Sequence, residues 1–127
     1  MAGSGFIAVG IGAALGAWLR WWLGIALNAV TPNLPLGTLA ANLIGGYLVG
    51  VAVEYFSQQG AIPVEMRLFV ITGFLGGLTT FSSFSAEAVV LLMQSRYAWA
   101  FLLISSHLIG SIVMTVLGIF TVRGLTA

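Results

Sequence analysis

The sequence predicts an all-α integral membrane protein of four transmembrane helices with a break in the third, and three observations carry that prediction. First, 60% of the 127 residues are hydrophobic and 6% charged, where soluble domains carry about a quarter charged residues; mean hydropathy is +1.12. Second, turn-forming clusters at Thr31-Pro32-Asn33-Leu34-Pro35, Ser57-Gln58-Gln59-Gly60 and Gln94-Ser95-Arg96-Tyr97 divide the chain into four apolar stretches. Each stretch suffices to cross a hydrocarbon core about 30 Å thick, which takes about 20 residues of helix. Third, the run Gly76-Gly77-Leu78-Thr79-Thr80-Phe81-Ser82-Ser83-Phe84-Ser85 interrupts the third stretch with poor helix formers. Glycine loses backbone entropy there, and hydroxyl side chains compete for backbone partners. The chain reads as one domain over residues 1–127, with spans at about 5–30, 36–56, 64–94 and 98–122.

Composition also excludes. Without cysteine there are no disulfides, thiolate nucleophiles or Cys-based metal sites. Four arginines against three glutamates form no clustered basic face, so nucleic acid is not a partner. No nucleophile–base pair or metal-ligand cluster argues for an enzyme.

The first span opens on Met-Ala-Gly-Ser with no positive charge before its apolar run, unlike a signal peptide, so it is read as a mature helix. Gly10, Gly12 and Gly16 with Ala13, Ala14 and Ala17 make a small-residue face for close approach of another helix. Arg20, flanked by Trp18, Trp21 and Trp22, fits two readings: a snorkelling arginine in an aromatic belt, or a positive charge at a vestibule mouth. Prolines 32 and 35 end the first helix and start the second. There Gly46-Tyr47-Leu48-Val49-Gly50 is a packing motif, and Thr38 and Asn42 share one face. Asn42 is either interhelical glue or an amide donor to an anion. Glu54, near the end of the second span, is expected to reach water.

Pro63 and Glu65 signal the start of the third span. Its length, roughly 30 residues against the 20 a straight span needs, independently favours an interruption. Backbone freed at membrane depth is tolerated where it is buried in protein or lines a polar cavity, so the break is the leading candidate for an ion site. The rival is a glycine-kinked packing helix whose serines bond to their own carbonyls. Beyond the break Phe81 and Phe84 share a face, with Glu87 three residues on. The pair suits core packing, or else presents electropositive ring edges to an anion. In the fourth span His107, Ser111 and Thr115 recur every fourth residue, either as a polar track or as hydroxyls satisfied on the preceding turn.

Four spans put Arg67 and Arg123 on one side of the membrane and Arg96, with Arg20 nearby, on the other. Orientation follows the Lys/Arg bias between sides, and this balance sets none, so the chain is expected to insert both ways round. An antiparallel homodimer would supply a second broken helix, the partner that inverted-repeat transporters carry within one chain.

Several runs resemble the Fluc (CrcB) fluoride channels of bacteria: Gly16-Ala17-Trp18-Leu19-Arg20-Trp21, Gly37-Thr38-Leu39 with Asn42-Leu43, Gly73-Phe74-Leu75-Gly76-Gly77-Leu78-Thr79-Thr80-Phe81-Ser82, and Gly110-Ser111 with Met114-Thr115. The resemblance covers essentially the whole chain. It implies a dual-topology homodimer in the bacterial inner membrane, with two fluoride pathways and one structural Na+ at the dimer centre, conferring fluoride resistance. Gly76 and Thr79 would give backbone carbonyls to the sodium. Phe81 and Phe84 would be the pore phenylalanines, Asn42 the pore amide and Arg20 the vestibule arginine. Thr80, Ser82, Ser111, Thr115 and His107 would line the pathway, with Thr38 and Glu87 near it. The chain departs from the family pattern at Ser83, where many members carry Thr, at His107, where some carry Ser, and at Leu103, where some carry a pore-lining Tyr.

The expected activity is therefore passive fluoride export down the membrane potential, through weak and multiple sites that replace lost water. Two rivals stand beside it: a proton-coupled fluoride transporter using Glu87, and a non-transporting packing subunit.

Overall fold

The computed structural model describes residues 2–127, and its elements are helices joined by short turns. Helix α1 spans Ala2–Leu27 and α2 spans Leu36–Ser57. The third span is two pieces, α3 over 64–78 and α4 over Phe81–Met93, and α5 spans Tyr97–Thr126. All four spans are long and apolar enough to cross a membrane.

Glycine decides which faces meet. At the α1–α3 crossing a Cβ on Gly12 would lie 2.9 Å from the Phe74 nitrogen, and one on Gly16 would lie 2.7 Å from that of Leu78. Gly10, expected on the same face, meets nothing within 4 Å and lies exposed. The Gly46–Gly50 motif packs α2 against α5, where Gly50 abuts the Thr115 carbonyl and Gly118 the Tyr47 carbonyl. Close backbone approach of this kind replaces the hydrophobic drive that lipid removes. Within α3, Leu68–Leu75 winds as a π-helix, a wide turn the sequence reading did not anticipate.

Three boundaries differ from expectation: helix α1 begins at Ala2 rather than near residue 5, and two others shift for a polar reason. Helix α1 ends at Leu27 rather than near residue 30, because Asn28 leaves the helix to cap α2. Its Oδ1 accepts from the Gly37 and Thr38 N–H groups at 2.7 and 3.1 Å. Pro35, at the N-cap position, makes no side-chain cap of its own. Helix α5 continues past residue 122 to Thr126, and its Arg123 Nε donates to Glu54 Oε1 at 3.2 Å. Glu54, expected to reach water, keeps a side chain 15% exposed beneath that arginine.

The core falls into two clusters. Leu23, Ala41, Ala52, Phe56, Leu75 and Leu78 join α1, α2 and α3, while Ala88, Leu91, Ala100 and Leu103 join α4 to α5. Leu103 is fully buried there, as packing under the second half of the broken span.

Candidate functional site

The break is narrower than the ten-residue run suggested. Gly76, Gly77 and Leu78 remain helical, and the interruption is Thr79 (φ −83°, ψ 155°) and Thr80 (φ −148°, ψ 123°), both extended. Ser82, Ser83 and Ser85 lie inside α4, since the restart is capped: Thr80 Oγ1 accepts from the Ser83 N–H at 3.0 Å. A hydroxyl at the N-cap suits a helix start as much as it disfavours a helix interior.

Each backbone group freed by the break raises the question of its partner. Asn42 on α2 answers for Thr80 twice, its Oδ1 accepting from the Thr80 N–H at 2.8 Å and its Nδ2 donating to the Thr80 carbonyl at 3.0 Å. On the other side Arg20 Nε donates to the Gly77 carbonyl at 3.0 Å. The Thr79 hydroxyl turns back to Leu75 O at 2.8 Å. Because the Thr80 N–H faces Asn42, Gly76 lacks the donor that a continuous helix would bring to its carbonyl.

The expected site residues gather in two cavities that meet at Thr80. One is a groove of about 400 Å³ whose lining includes Asn42, Gly76, Thr79, Thr80, Phe81, Phe84, His107 and Ser111. Phe81 and Phe84 meet edge to face, centroids 5.6 Å apart at 70°, and Phe84 stacks on the His107 ring at 4.7 Å. Phe81 is 78% exposed. The other is a polar cavity of about 340 Å³ whose lining includes Arg20, Asn28, Thr38, Thr80, Ser83 and Glu87. There the Thr38 hydroxyl donates to Glu87 Oε2 at 2.7 Å, while Oε1 is buried without a partner among the described residues.

Two expected residues lie outside both cavities. Thr115 packs α5 on α2, its hydroxyl within 2.9 Å of Gly46 O and 3.0 Å of Ser111 O. Ser82 is exposed at the start of α4, 3.3 Å from the Thr80 hydroxyl. Asn28 was missed; it caps α2 from across the turn, at the end of α1, where no local capping pattern marks it. Arg20 lines the polar cavity between exposed Trp18, Trp21 and Trp22 and bonds to the break. Asn42 has both amide hydrogens engaged, one on Thr80 O and one facing His107 Nδ1 at 2.9 Å. The described residues hold no cluster of three or more His, Cys, Asp or Glu side chains, so a cation at the break would depend on carbonyl oxygens.

Comparison with known proteins bears on the same residues. The profile of a family described as "CrcB-like protein, Camphor Resistance (CrcB)" matches residues 7–119. A protein of Nitrosospira multiformis named "Fluoride-specific ion channel FluC" is 67% identical over 118 residues, 93% of this chain and 92% of its own. Proteins of the same name from Ralstonia pickettii and Ralstonia nicotianae are 61% and 56% identical, covering 97% and 98% of this chain and 98% and 99% of theirs.

Proposed function

This chain belongs to the CrcB family, and on that premise we propose that it is a fluoride-selective channel that exports fluoride by passive electrodiffusion. The observation that carries this reading is the near-complete coverage, at 67% identity, of a relative named for fluoride conduction. The groove's chemistry supports it. Fluoride is small and strongly hydrated, so a selective path must offer donors in place of water without a charge that traps the ion. The groove offers hydroxyls, an imidazole and two ring edges, and neither Arg nor Lys lines it. Arg20, in the adjoining cavity, raises the local anion concentration at the entrance. Fluoride that enters the cell as neutral HF and ionises is then driven out by the negative-inside potential.

The functional unit in this reading is an antiparallel homodimer of chains inserted both ways. The near-even spread of arginines supports it: Arg67 and Arg123 contact Phe56 and Glu54 at one end of the bundle, Arg96 bonds to Asn33 at the other, and Arg20 bonds to the break between them. Gly76 is exposed, so a second copy can reach its carbonyl. Gly76 and Thr79 from two copies would hold a structural Na+, for which neutral carbonyl oxygens are the appropriate hard ligands. The cation would screen carbonyl dipoles brought together at the centre.

The test is ion release from liposomes loaded with fluoride or chloride, clamped with a potassium ionophore and read by ion-selective electrodes. Fast fluoride release with chloride retained is expected. No release of either ion from demonstrably dimeric protein would overturn the channel reading.

A further inference from the structure

We infer that His107 is a hydrogen-bond donor to the anion in transit, through an Nε2–H whose position Asn42 determines; the inference rests on the channel reading above. The derivation starts at the Thr80 backbone. A backbone N–H can only donate and a carbonyl can only accept, so the pair of hydrogen bonds between Asn42 and Thr80 fixes which end of the amide is which. The Asn42 Nδ2 therefore faces His107 Nδ1, at 2.9 Å. An amide nitrogen is a donor only, so Nδ1 must accept, and the proton of a neutral imidazole is left on Nε2.

That N–H is anomalous. His107 is 3% exposed, and its Nε2 is buried without a partner among the described residues. A buried donor left unpaired costs free energy, and such a group in a native fold calls for an explanation. Stacking on Phe84 at 4.7 Å confines the ring, so it does not turn to pair its second nitrogen elsewhere. The residue lines the same groove as Phe81, Phe84 and Ser111. Asn42 has spent both amide hydrogens, on Thr80 and His107. The unspent N–H beside the phenylalanines is the one on the imidazole. An uncharged donor, fixed in tautomer and unpaired until an anion arrives, stabilises a dehydrating fluoride without holding it as a cation would.

The test uses the fact that the chain has a single histidine. Nitrogen-15 spectra of the full-length protein, labelled at histidine, should show a protonated Nε2 and a bare Nδ1. The Nε2 resonance should move on titration with sodium fluoride and stay in place with sodium chloride. Substitution then separates the two nitrogens. His107→Asn keeps an acceptor near Nδ1 and removes the distal N–H; His107→Gln carries an N–H out to the Nε2 position and loses the ring acceptor. A donor role predicts fluoride release reduced about tenfold or more in H107N, as expected for losing a hydrogen bond to a charged group, and within about threefold of wild type in H107Q. The reverse pattern would overturn it in favour of a histidine that merely holds Asn42, and two unaffected variants would overturn it outright. If both variants lose release, the wild-type spectrum decides: an Nε2 indifferent to fluoride in a conducting protein refutes the inference. Failure of the wild type to release fluoride refutes the channel reading itself and is seen before any variant is made.

Discussion

The groove and the polar cavity meet at Thr80, one of the two extended residues, yet they use their polar groups differently. In the polar cavity most polar groups pair within the chain, Asn28 capping α2, Thr38 donating to Glu87 Oε2 and Arg20 donating to Gly77 O, while Glu87 Oε1 is left buried without a partner among the described residues. In the groove aromatic edges and a buried imidazole with an unpaired Nε2 stand beside the break. In the channel reading the cavity gathers ions and the groove, with individually weak contacts, passes them. The break itself is held from both sides, by Asn42 from the groove and by Arg20 from the cavity. Two of Thr80's backbone groups depend on the first, and one carbonyl on the second.

That asymmetry can be broken experimentally. Asn42→Ala strands two part-buried backbone groups, each costing about 1–3 kcal/mol, so a loss of about 2–6 kcal/mol is expected in unfolding from detergent. Arg20→Met strands one carbonyl and should cost about 1–3 kcal/mol in the same assay. If Arg20→Met proves the more damaging, the break is held from the cavity side and the ranking here is wrong. Phe81→Ile tests the groove alone: the ring is 78% exposed, so the chain's own packing should survive while fluoride release falls about tenfold, or 1.4 kcal/mol. Unchanged release would remove this phenylalanine from the pathway.

Ser95→Gly lies away from both regions and calibrates the stability scale. Ser95 adopts φ 58° at the end of α4, where Arg96 N–H closes on Leu91 O at 2.9 Å. Glycine there should stabilise the protein by about 1 kcal/mol. Glu87→Gln has the smallest expected effect, since the amide can still accept from Thr38 and passive conduction needs no ionisable group. Release should stay within about twofold, well under the tenfold that 1.4 kcal/mol represents. Release that vanishes, or carries protons in the wild type, would point to coupled transport.

Much of the architecture was legible because it follows from local chemistry. Apolar length marks a span whatever surrounds it, and the glycine and hydroxyl run from Gly76 to Ser85 marks a helix break, although the cap at Thr80 that narrows it to two residues was not foreseen. What was not legible was which small or polar residue meets which. Gly10 and Gly12 look alike in sequence, and the crossing with α3 uses Gly12. Asn42 allowed glue or pore amide, and its neighbours decided how its hydrogens are spent: Thr80 lies 38 positions away and His107 65.

By itself, then, the sequence determined a four-span helical membrane protein interrupted at its third span, with the aromatic and hydroxyl residues of the candidate pathway. The tertiary structure decided how the interruption is sustained and what remains free to meet an ion. Helix formation and breaking depend on neighbours within a turn or two. Pairing a freed backbone group in a medium without water depends on a partner that only packing brings near, and Asn42 and Arg20 reach the break only because α2 and α1 cross it.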